Sequence, residues 1–297
     1  MRAAVVTAFG GPEAVRIVEA EVPEPAAGQI RIKVAAAALN PVDAVVRSGA
    51  VGGDGMRLGL GWDAAGTVDA SGPGGDWAVG DAVIALHHGV LKTTLGTHAE
   101  YVVVDATAVA AAPKTVDAVH ASTLPLNALT AAQALDLLDL RAGQTLLVTG
   151  AAGAVGGYAV QLAAHQGIQV TALAGETDGE LATELGAVRF AVRGSAVTPH
   201  DAVLDAAAVG ARALEWVRDK GAYTGVITQV EPAPIRGIRT ATVSVTADGA
   251  RLAELTALLD AGTLTTRVAG TFPLDAATRA HARLAEGGVR GRLVLLP

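Results

Sequence analysis

Between residues 145 and 163 the chain reads TLLVTGAAGAVGGYAVQLA, an apolar run, a glycine-rich turn and a second apolar run. Leu146, Leu147 and Val148 have the character of a buried strand, and a helix is expected to open near Val155. Few backbones accommodate that order. Gly150, Gly153 and Gly156 recur at three-residue spacing with Ala151 at the first site, so the turn is A-x-G-x-x-G rather than G-x-G-x-x-G. Residues without a Cβ let such a turn tighten and let the backbone approach a ligand closely. The helix start then offers free N–H groups and the positive end of its dipole, which suits the pyrophosphate of a dinucleotide. Gly150, Ala152, Gly153, Ala154, Val155 and Gly156 are the candidate contacts, made mainly through backbone N–H groups.

The surroundings narrow this further. Residues 142–175 contain no Asp, Glu, Lys or Arg. Gln144, Gln161, His165, Gln166, Gln169 and several glycines interrupt the stretch, so strand–turn–helix–strand accounts for it better than a membrane span. With 297 residues, 51% of them hydrophobic and 17% charged, the chain can bury a sizeable core in two domains. Its net charge of −7 argues against nucleic acid or an anionic membrane as partner. Cysteine is absent, which removes disulfides and thiolate metal sites. The opening MRAAVVTAFGGPE lacks the apolar core of a signal peptide, so a cytoplasmic location is expected.

Two rhythms divide the chain. Up to about residue 113, short β-like runs at 2–7, 29–37, 66–70, 82–86 and 99–104 are separated by Gly and Pro clusters, as in a β-rich, barrel-like unit. From about residue 114, helical stretches (116–124, 127–137) lead into an alternation. Strands are expected at 145–148, 169–173, 202–205 and 222–227, with helices at 155–165, 179–185 and 211–219. Alternation of this kind implies βαβ units and a parallel sheet covered on both faces. A tail from about residue 261, with a helix at 274–284 and a strand at 292–296, is expected to return to the first domain.

Cofactor choice depends on the residue at the tip of the second strand, about 20 positions beyond the turn, where an acid would bind the adenosine ribose of NAD. Here the strand ends Leu173-Ala174-Gly175, and Glu176 and Asp178 come later, in the position of helix caps. No Lys or Arg lies between Arg141 and Arg189. Arg189 and Arg193 are the substitutes for a 2′-phosphate clamp, with Gly175 and a Thr177 hydroxyl nearby in sequence. On the residues alone, the phosphate state of the cofactor stays open.

The whole chain resembles the zinc-independent medium-chain dehydrogenase/reductases of the quinone oxidoreductase type. The resemblance rests on MRAAVVTAFGGPEAVRI, NPVDAVVRSG (40–49), GWDAAGTV (61–68), VGDAVIAL (79–86), GTHAEYVVV (96–104), LPLNALTAAQAL (124–135), AAGAVG (151–156), DAVLDAAAVG (201–210) and FPLDAATRAHARLAEGGVRGRLVL (272–295). It implies an α/β protein with a GroES-like β-rich catalytic domain (1–114 and 261–297) and a Rossmann doubly wound parallel-sheet domain (115–260). NADPH is the implied cofactor, with NADH as second candidate, and the implied assembly is a homodimer. The implied reaction is hydride transfer to a quinone. Reduction of an α,β-unsaturated carbonyl is the alternative, and a nucleotide-binding protein without catalysis a third.

Departures from the pattern matter as well. Zinc-dependent relatives place a Cys near residues 39–43 and a His-Glu pair where this chain has Trp62-Asp63, so no metal is expected. His87 and His88 are adjacent and poorly disposed to converge on one ion. Quinone-reducing relatives often carry tyrosines where Val45, Val46, Ala50 and Val51 stand here. Tyr101, Tyr158 and Tyr223 have the setting of packing residues. Without thiol, zinc or a tyrosine acid, the protein's task is to align hydride donor and acceptor. Asn40 and Thr130 are the candidate catalytic contacts, set against turn formation for Asn40 and helix packing for Thr130. Ile227 is expected either to border the nicotinamide ribose or to fill core. Asp43 follows in the same motif as Asn40, with a capping role as the equal alternative, and Asp63 and Asp81 read as structural residues of Gly-flanked turns.

Overall fold

A computed structural model describes residues 1–50, 57–74, 76–88 and 95–297; Val51 and Gly75 lie outside the described residues. Alternation governs the first strands. In β3 (Gln29–Leu39), Ile30, Ile32 and Val34 are buried while Arg31, Lys33 and Ala35 are not, the period-2 pattern of a sheet with one covered face. From Ala36 to Leu39 every residue is buried, because that end is covered on both faces. Around β3 the chain lays down β1 (Arg2–Val6), β2 (Val15–Glu19), β4 (Leu58–Gly59), β5 (Asp63–Ser71), β6 (Ala82–Leu86), β7 (Tyr101–Asp105) and β8 (Val109–Ala111). The helices α1 (Pro41–Ser48) and α2 (Ala118–Ala121) complete this part. Strand β1 lies between β2 and β4 in a small antiparallel sheet.

The rhythm changes at α3 (Pro125–Leu138). Strands β9 (Thr145–Thr149), β10 (Gln169–Ala174), β11 (Arg189–Val192), β12 (His200–Asp205), β13 (Val217–Gly225) and β14 (Arg239–Thr242) form an all-parallel sheet in the order β11-β10-β9-β12-β13-β14. Helices α4 (Ala154–His165) and α5 (Gly179–Glu184) connect its first strands. The interiors of β9, β10 and β12 are buried almost without interruption, as a parallel sheet covered on both faces requires. Helix α4 is buried continuously from Gly156 to Ala163, so it is a core helix rather than an amphipathic one.

The chain then forms α6 (Gly249–Asp260), β15 (Val268–Pro273), α7 (Ala277–Ala285) and β16 (Arg292–Leu296). Strand β16 pairs with β3 and carries β15 beside it, extending the large sheet to the order β15-β16-β3-β5-β6-β8, with β7 on β3. The tail therefore does return to the first unit. This is the GroES-like plus Rossmann α/β architecture that the resemblance implied.

Several boundaries differ from expectation. The two units are residues 1–126 with 246–297, and residues 127–245, rather than a division at 114 and 261. The reason lies in α6, which packs on β8. Its last residue, Asp260, accepts hydrogen bonds from the Lys114 and Thr115 N–H groups (2.8 and 3.0 Å) and the Thr115 hydroxyl (2.8 Å). The helix expected at 211–219 is instead a 3₁₀ turn over Gly210–Trp216 that runs directly into β13. Ala213, Leu214 and Val217 have helical spacing, yet Val217 already pairs with His200. The charged Arg218-Asp219-Lys220 bulges out, with Lys220 in the left-handed region, before pairing resumes at Ala222. Strand β13 ends at Gly225, so Ile227 lies beyond it. The helix expected at 116–124 is reduced to the four residues of α2.

The seat of α6 yields a paired prediction. A Cβ on Gly249 would fall on the Val109 carbonyl oxygen of β8, so Gly249→Ala is expected to destabilise the protein by about 2–3 kcal/mol in urea unfolding. Asp248, whose side chain accepts from the Arg251 N–H (2.9 Å), caps the same helix, and Asp248→Ala should cost only about 1 kcal/mol.

Candidate functional site

Within the parallel-sheet unit, the expected glycine turn and helix start lie at the tip of β9. Gly150 takes a φ of +60°, a conformation that favours glycine. Gly153, extended and exposed, is the N-cap of α4, so the helix opens at Ala154, one residue before expectation. Gly156 sits where a Cβ would fall on the Gly150 carbonyl oxygen, which makes it the contact that lets α4 close on the turn. The first intrahelical bond runs from Gly157 N–H to Gly153 O (2.9 Å). The amides of Ala154, Val155 and Gly156 precede it and form the donor end of the helix. Ala152 is buried, and Val155 half-buried.

The strand order makes the tip of β9 a switch point. From β9 the chain steps to β10 and β11 on one side, then crosses back to place β12, β13 and β14 on the other. In open α/β sheets, ligands bind at the carboxyl ends of the strands at such a point. Gly175 and Thr177 follow the tip of β10, and Arg193 follows β11. The Arg193 N–H donates to the Ala174 carbonyl (2.8 Å), which places the Arg193 backbone beside the residue that precedes Gly175. Arg189 sits at the opposite end of β11, paired with Thr171, and is not part of this edge. Asp178 turns away from it: its Oδ2 accepts from the Gly175 N–H (2.9 Å) and the side chain is buried, which is a capping role. Glu176 and Thr177 are exposed. Ile227 is 42% exposed and starts a short 3₁₀ turn, so core filling does not describe it. Thr130 is buried in the second turn of α3.

Sequence reasoning did not find a second group on this edge. Asp205, fully buried at the end of β12, accepts from the Thr149 hydroxyl (2.6 Å), the Tyr223 hydroxyl (2.9 Å) and the Gly210 N–H (2.8 Å), with a longer bond from the Ala207 N–H (3.3 Å). Burial and Asp205 push the Tyr223 hydroxyl upward from its ordinary pKa. An acid directly after the apolar run Ala202-Val203-Leu204 was the available signal. Tyr158 is buried in α4, and Tyr101 sits under the Arg31 guanidinium, 5.8 Å from the ring centre.

The first unit holds a buried polar cluster. Asn40 caps α1: its N–H donates to Asp43 Oδ2 (2.8 Å), and its carbonyl accepts from the Asp43 N–H (3.0 Å). The other Asp43 oxygen accepts from the Gly61 N–H (2.8 Å), tying α1 to the start of β5. Asp63 is not a turn residue as expected; it begins β5 and is fully buried. Its Oδ2 accepts from the Asn40 amide (2.6 Å) and its Oδ1 from the Leu126 N–H in the first turn of α3 (2.6 Å). Burial pushes the Asp63 carboxyl up to about 7, the neighbouring Asp43 adds to this, and the two donors and Arg292 partly oppose it. Burial raises Asp43 as well, against the pull of His98, its two N–H donors and Arg292. Asp81 behaves as expected, accepting from the Ala78 N–H (2.9 Å) in an exposed turn.

The donor set here does not suit zinc. Trp62 precedes Asp63, both Asp63 oxygens already face N–H donors, and the chain supplies no thiolate. His87 is buried, which lowers its pKa, while His88 is exposed. Among the described residues, no three His, Asp or Glu side chains are grouped as metal ligands would be. Among them too, no helix is long and apolar enough to cross a membrane.

Comparison with known proteins is consistent across the chain. The family model for the alcohol dehydrogenase GroES-like domain matches residues 26–114, and that for zinc-binding dehydrogenases matches residues 183–295. No curated protein sequence matches. Among solved structures, the quinone oxidoreductase from Coxiella burnetii is 28% identical over 100% of this chain and 99% of its own, with a TM-score of 0.90. A mycobacterial protein complexed with NADPH is 27% identical over the full length of both, with a TM-score of 0.85. A cobalt- and zinc-bound alcohol dehydrogenase from Pyrobaculum aerophilum is 28% identical over 100% and 99%, with a TM-score of 0.83.

The raised Asp63 carboxyl fixes the sign of one pH effect. A group held above its ordinary pKa in the folded state favours folding while protonated, so its contribution is lost as pH rises from about 4 to about 7. Asp63→Asn keeps an oxygen for Leu126 and an amide that a flipped Asn40 can accept. Denaturant unfolding between pH 5 and 8 should therefore show a shallower loss of stability than the wild type, whose slope reaches at most about 1.4 kcal/mol per pH unit from this group.

Proposed function

Because the chain belongs to the medium-chain dehydrogenase/reductase family, in its quinone-oxidoreductase-like form, we propose that it transfers hydride from NADPH to a quinone without zinc. The observation that carries the cofactor choice is the edge formed by Gly175 and Arg193. Where an acid would hold a ribose diol there is a glycine, the nearest acid is folded into a cap, and Arg193 is tied beside it by its own backbone. A guanidinium at that place favours a 2′-phosphate. The NADPH-bound mycobacterial structure supports the same reading.

When bound, NADPH supplies the hydride. The chain's own contribution is alignment and electrostatics. The amides of Ala154, Val155 and Gly156, with the turn at Gly150–Gly153, receive the pyrophosphate. Gly175, Thr177 and Arg193 hold the adenosine end. Ile227, exposed past the tip of β13, borders the nicotinamide ribose, and Thr130 is proposed as a further contact. Asn40 is proposed to hydrogen-bond the reacting carbonyl or the nicotinamide, its amide oriented by Asp63 (2.6 Å). A conjugated carbonyl already accepts hydride, so no Lewis acid is required of the protein, and the donor set around Trp62-Asp63 offers none. Assembly as a homodimer belongs to the same proposal; β14 is an edge strand of the parallel sheet.

The exposed apolar Val45 on α1, where quinone-reducing relatives often have an aromatic, keeps reduction of an α,β-unsaturated carbonyl as the second reading. Titration with NADPH and NADH, followed by nicotinamide absorbance with benzoquinones, naphthoquinones and 2-enones, tests both. Quinone-dependent oxidation of NADPH is the expected result. Turnover of enones alone would replace it with the second reading, and binding of cofactor without oxidation by any acceptor would overturn both. Arg193→Ala should weaken NADPH about tenfold or more and leave NADH within about twofold. Gly153→Val, whose Cβ meets only the Gly150 oxygen at 3.0 Å, should fold yet lose cofactor affinity, because its branch occupies the pyrophosphate's place.

A further inference from the structure

Two carboxylates clamp β9 to β12, one at each end of the pair. At the amino end, Asp201 Oδ2 accepts from the Thr145 N–H and hydroxyl (both 2.8 Å), and Arg218 pairs with its other oxygen (2.6 Å). At the carboxyl end, Asp205 accepts from Thr149 as described. The two Thr–Asp pairs join the same strands, but what lies beyond them differs. Asp201 faces the edge away from the cradle. Asp205 is held at the switch point, and its remaining bonds go to Ala207, Gly210 and Tyr223.

Those bonds shape the loop 206–210. Ala208 takes a φ of +55° and Gly210 of +68°, so this loop is held in a conformation that a non-glycine residue such as Ala208 rarely adopts. The Thr149 hydroxyl also accepts from the Ala207 N–H (3.1 Å), linking the loop to the tip of β9 a second time. The loop in turn abuts the cradle. A Cβ on Gly150 would lie 3.2 Å from the Ala206 carbonyl oxygen, so the position of Ala206 limits how the glycine turn can sit. Asp205 is thus connected to the cradle through Thr149 on one side and through Ala206 on the other.

We propose that Asp205 is a positioning residue for the dinucleotide, holding loop 206–210 against the Gly150 turn so that the α4 amides keep the geometry that receives the pyrophosphate. This rests on the cofactor reading above. Asp205 does not itself touch the ligand; it acts through Thr149, Ala207 and Gly210, with Tyr223 supplying a donor from β13.

The opposed clamp supplies the control. NADPH binding is measured by fluorescence titration of the full-length wild type, Asp205→Asn, Tyr223→Phe and Asp201→Asn, with thermal unfolding of each. Asp205→Asn should weaken NADPH about tenfold or more. Tyr223→Phe, which removes one donor and keeps the fold even if Asp205→Asn does not, should weaken it about threefold. Asp201→Asn should lower the melting temperature yet leave NADPH affinity within about twofold. Wild-type affinity in a folded Asp205→Asn, wild-type affinity in Tyr223→Phe where Asp205→Asn does not fold, or an equal loss in Asp201→Asn would overturn the proposal while leaving the cofactor reading intact. A wild type that binds neither NADPH nor NADH would overturn both.

Discussion

The approach of α4 to the turn that precedes it sets the terms for the parallel-sheet unit. At Gly156 the helix backbone lies so near the Gly150 carbonyl that no side chain fits between them. That contact keeps the amino end of α4 against the tip of β9, where Gly150 turns the chain with a positive φ. Ala151 and Ala152 bury themselves beneath, and Ala154 and Val155 are left as the first amides of a twelve-residue helix. The donor end of the helix, the proposed seat of the pyrophosphate, follows from packing alone, before any charged side chain is considered.

Buried carboxylates do different work in the two units. Asp43 and Asp63 lie close enough to repel one another, share Arg292 as a distant counter-charge, and are supplied with N–H donors from Asn40, Gly61 and Leu126. The effect is to fix the start of α1, the start of β5 and the first turn of α3 with one polar cluster, at the cost of holding Asp63 near neutrality. Asp205 is satisfied mainly by hydroxyls and loop amides, and it joins three strands at one edge. A hydrophobic core could join those strands equally well, but it could not hold the loop amides of Ala207 and Gly210 in place.

Much of this was legible in the chain. The glycine spacing, the uninterrupted apolar strands and the change of rhythm near residue 114 each follow from local rules, and the sheet and the glycine turn appear where those rules put them. The failures share a cause. Residues 211–219 carry helical spacing, but Val217 gains more by pairing with His200 than by continuing a turn, and only the tertiary neighbour reveals that. Asp63 reads as a turn residue because glycines flank it; what makes it a buried strand residue is Asn40, 23 positions earlier, and Leu126, 63 positions later. The seat of α6 on β8 is likewise a long-range fact, joining Asp260 to Thr115 across 145 positions. Sequence patterns carry contacts within a few turns, and each of these lies beyond them.

At the tip of β10 the proposed cofactor choice rests on what is missing. An acid at the tip of β10 would attract a ribose diol and repel a 2′-phosphate, and there the chain has Gly175. The acid that does come nearby, Asp178, is consumed by the Gly175 N–H and buried, so its charge is turned inward. Arg193 needs no carboxylate partner to stay at this edge, because its own N–H is bonded to Ala174. Its exposed guanidinium can then move to meet an anion without breaking the bond that places it. Removing a negative charge and anchoring a positive one by its backbone act in the same direction, and the proposed preference for a 2′-phosphate draws on both.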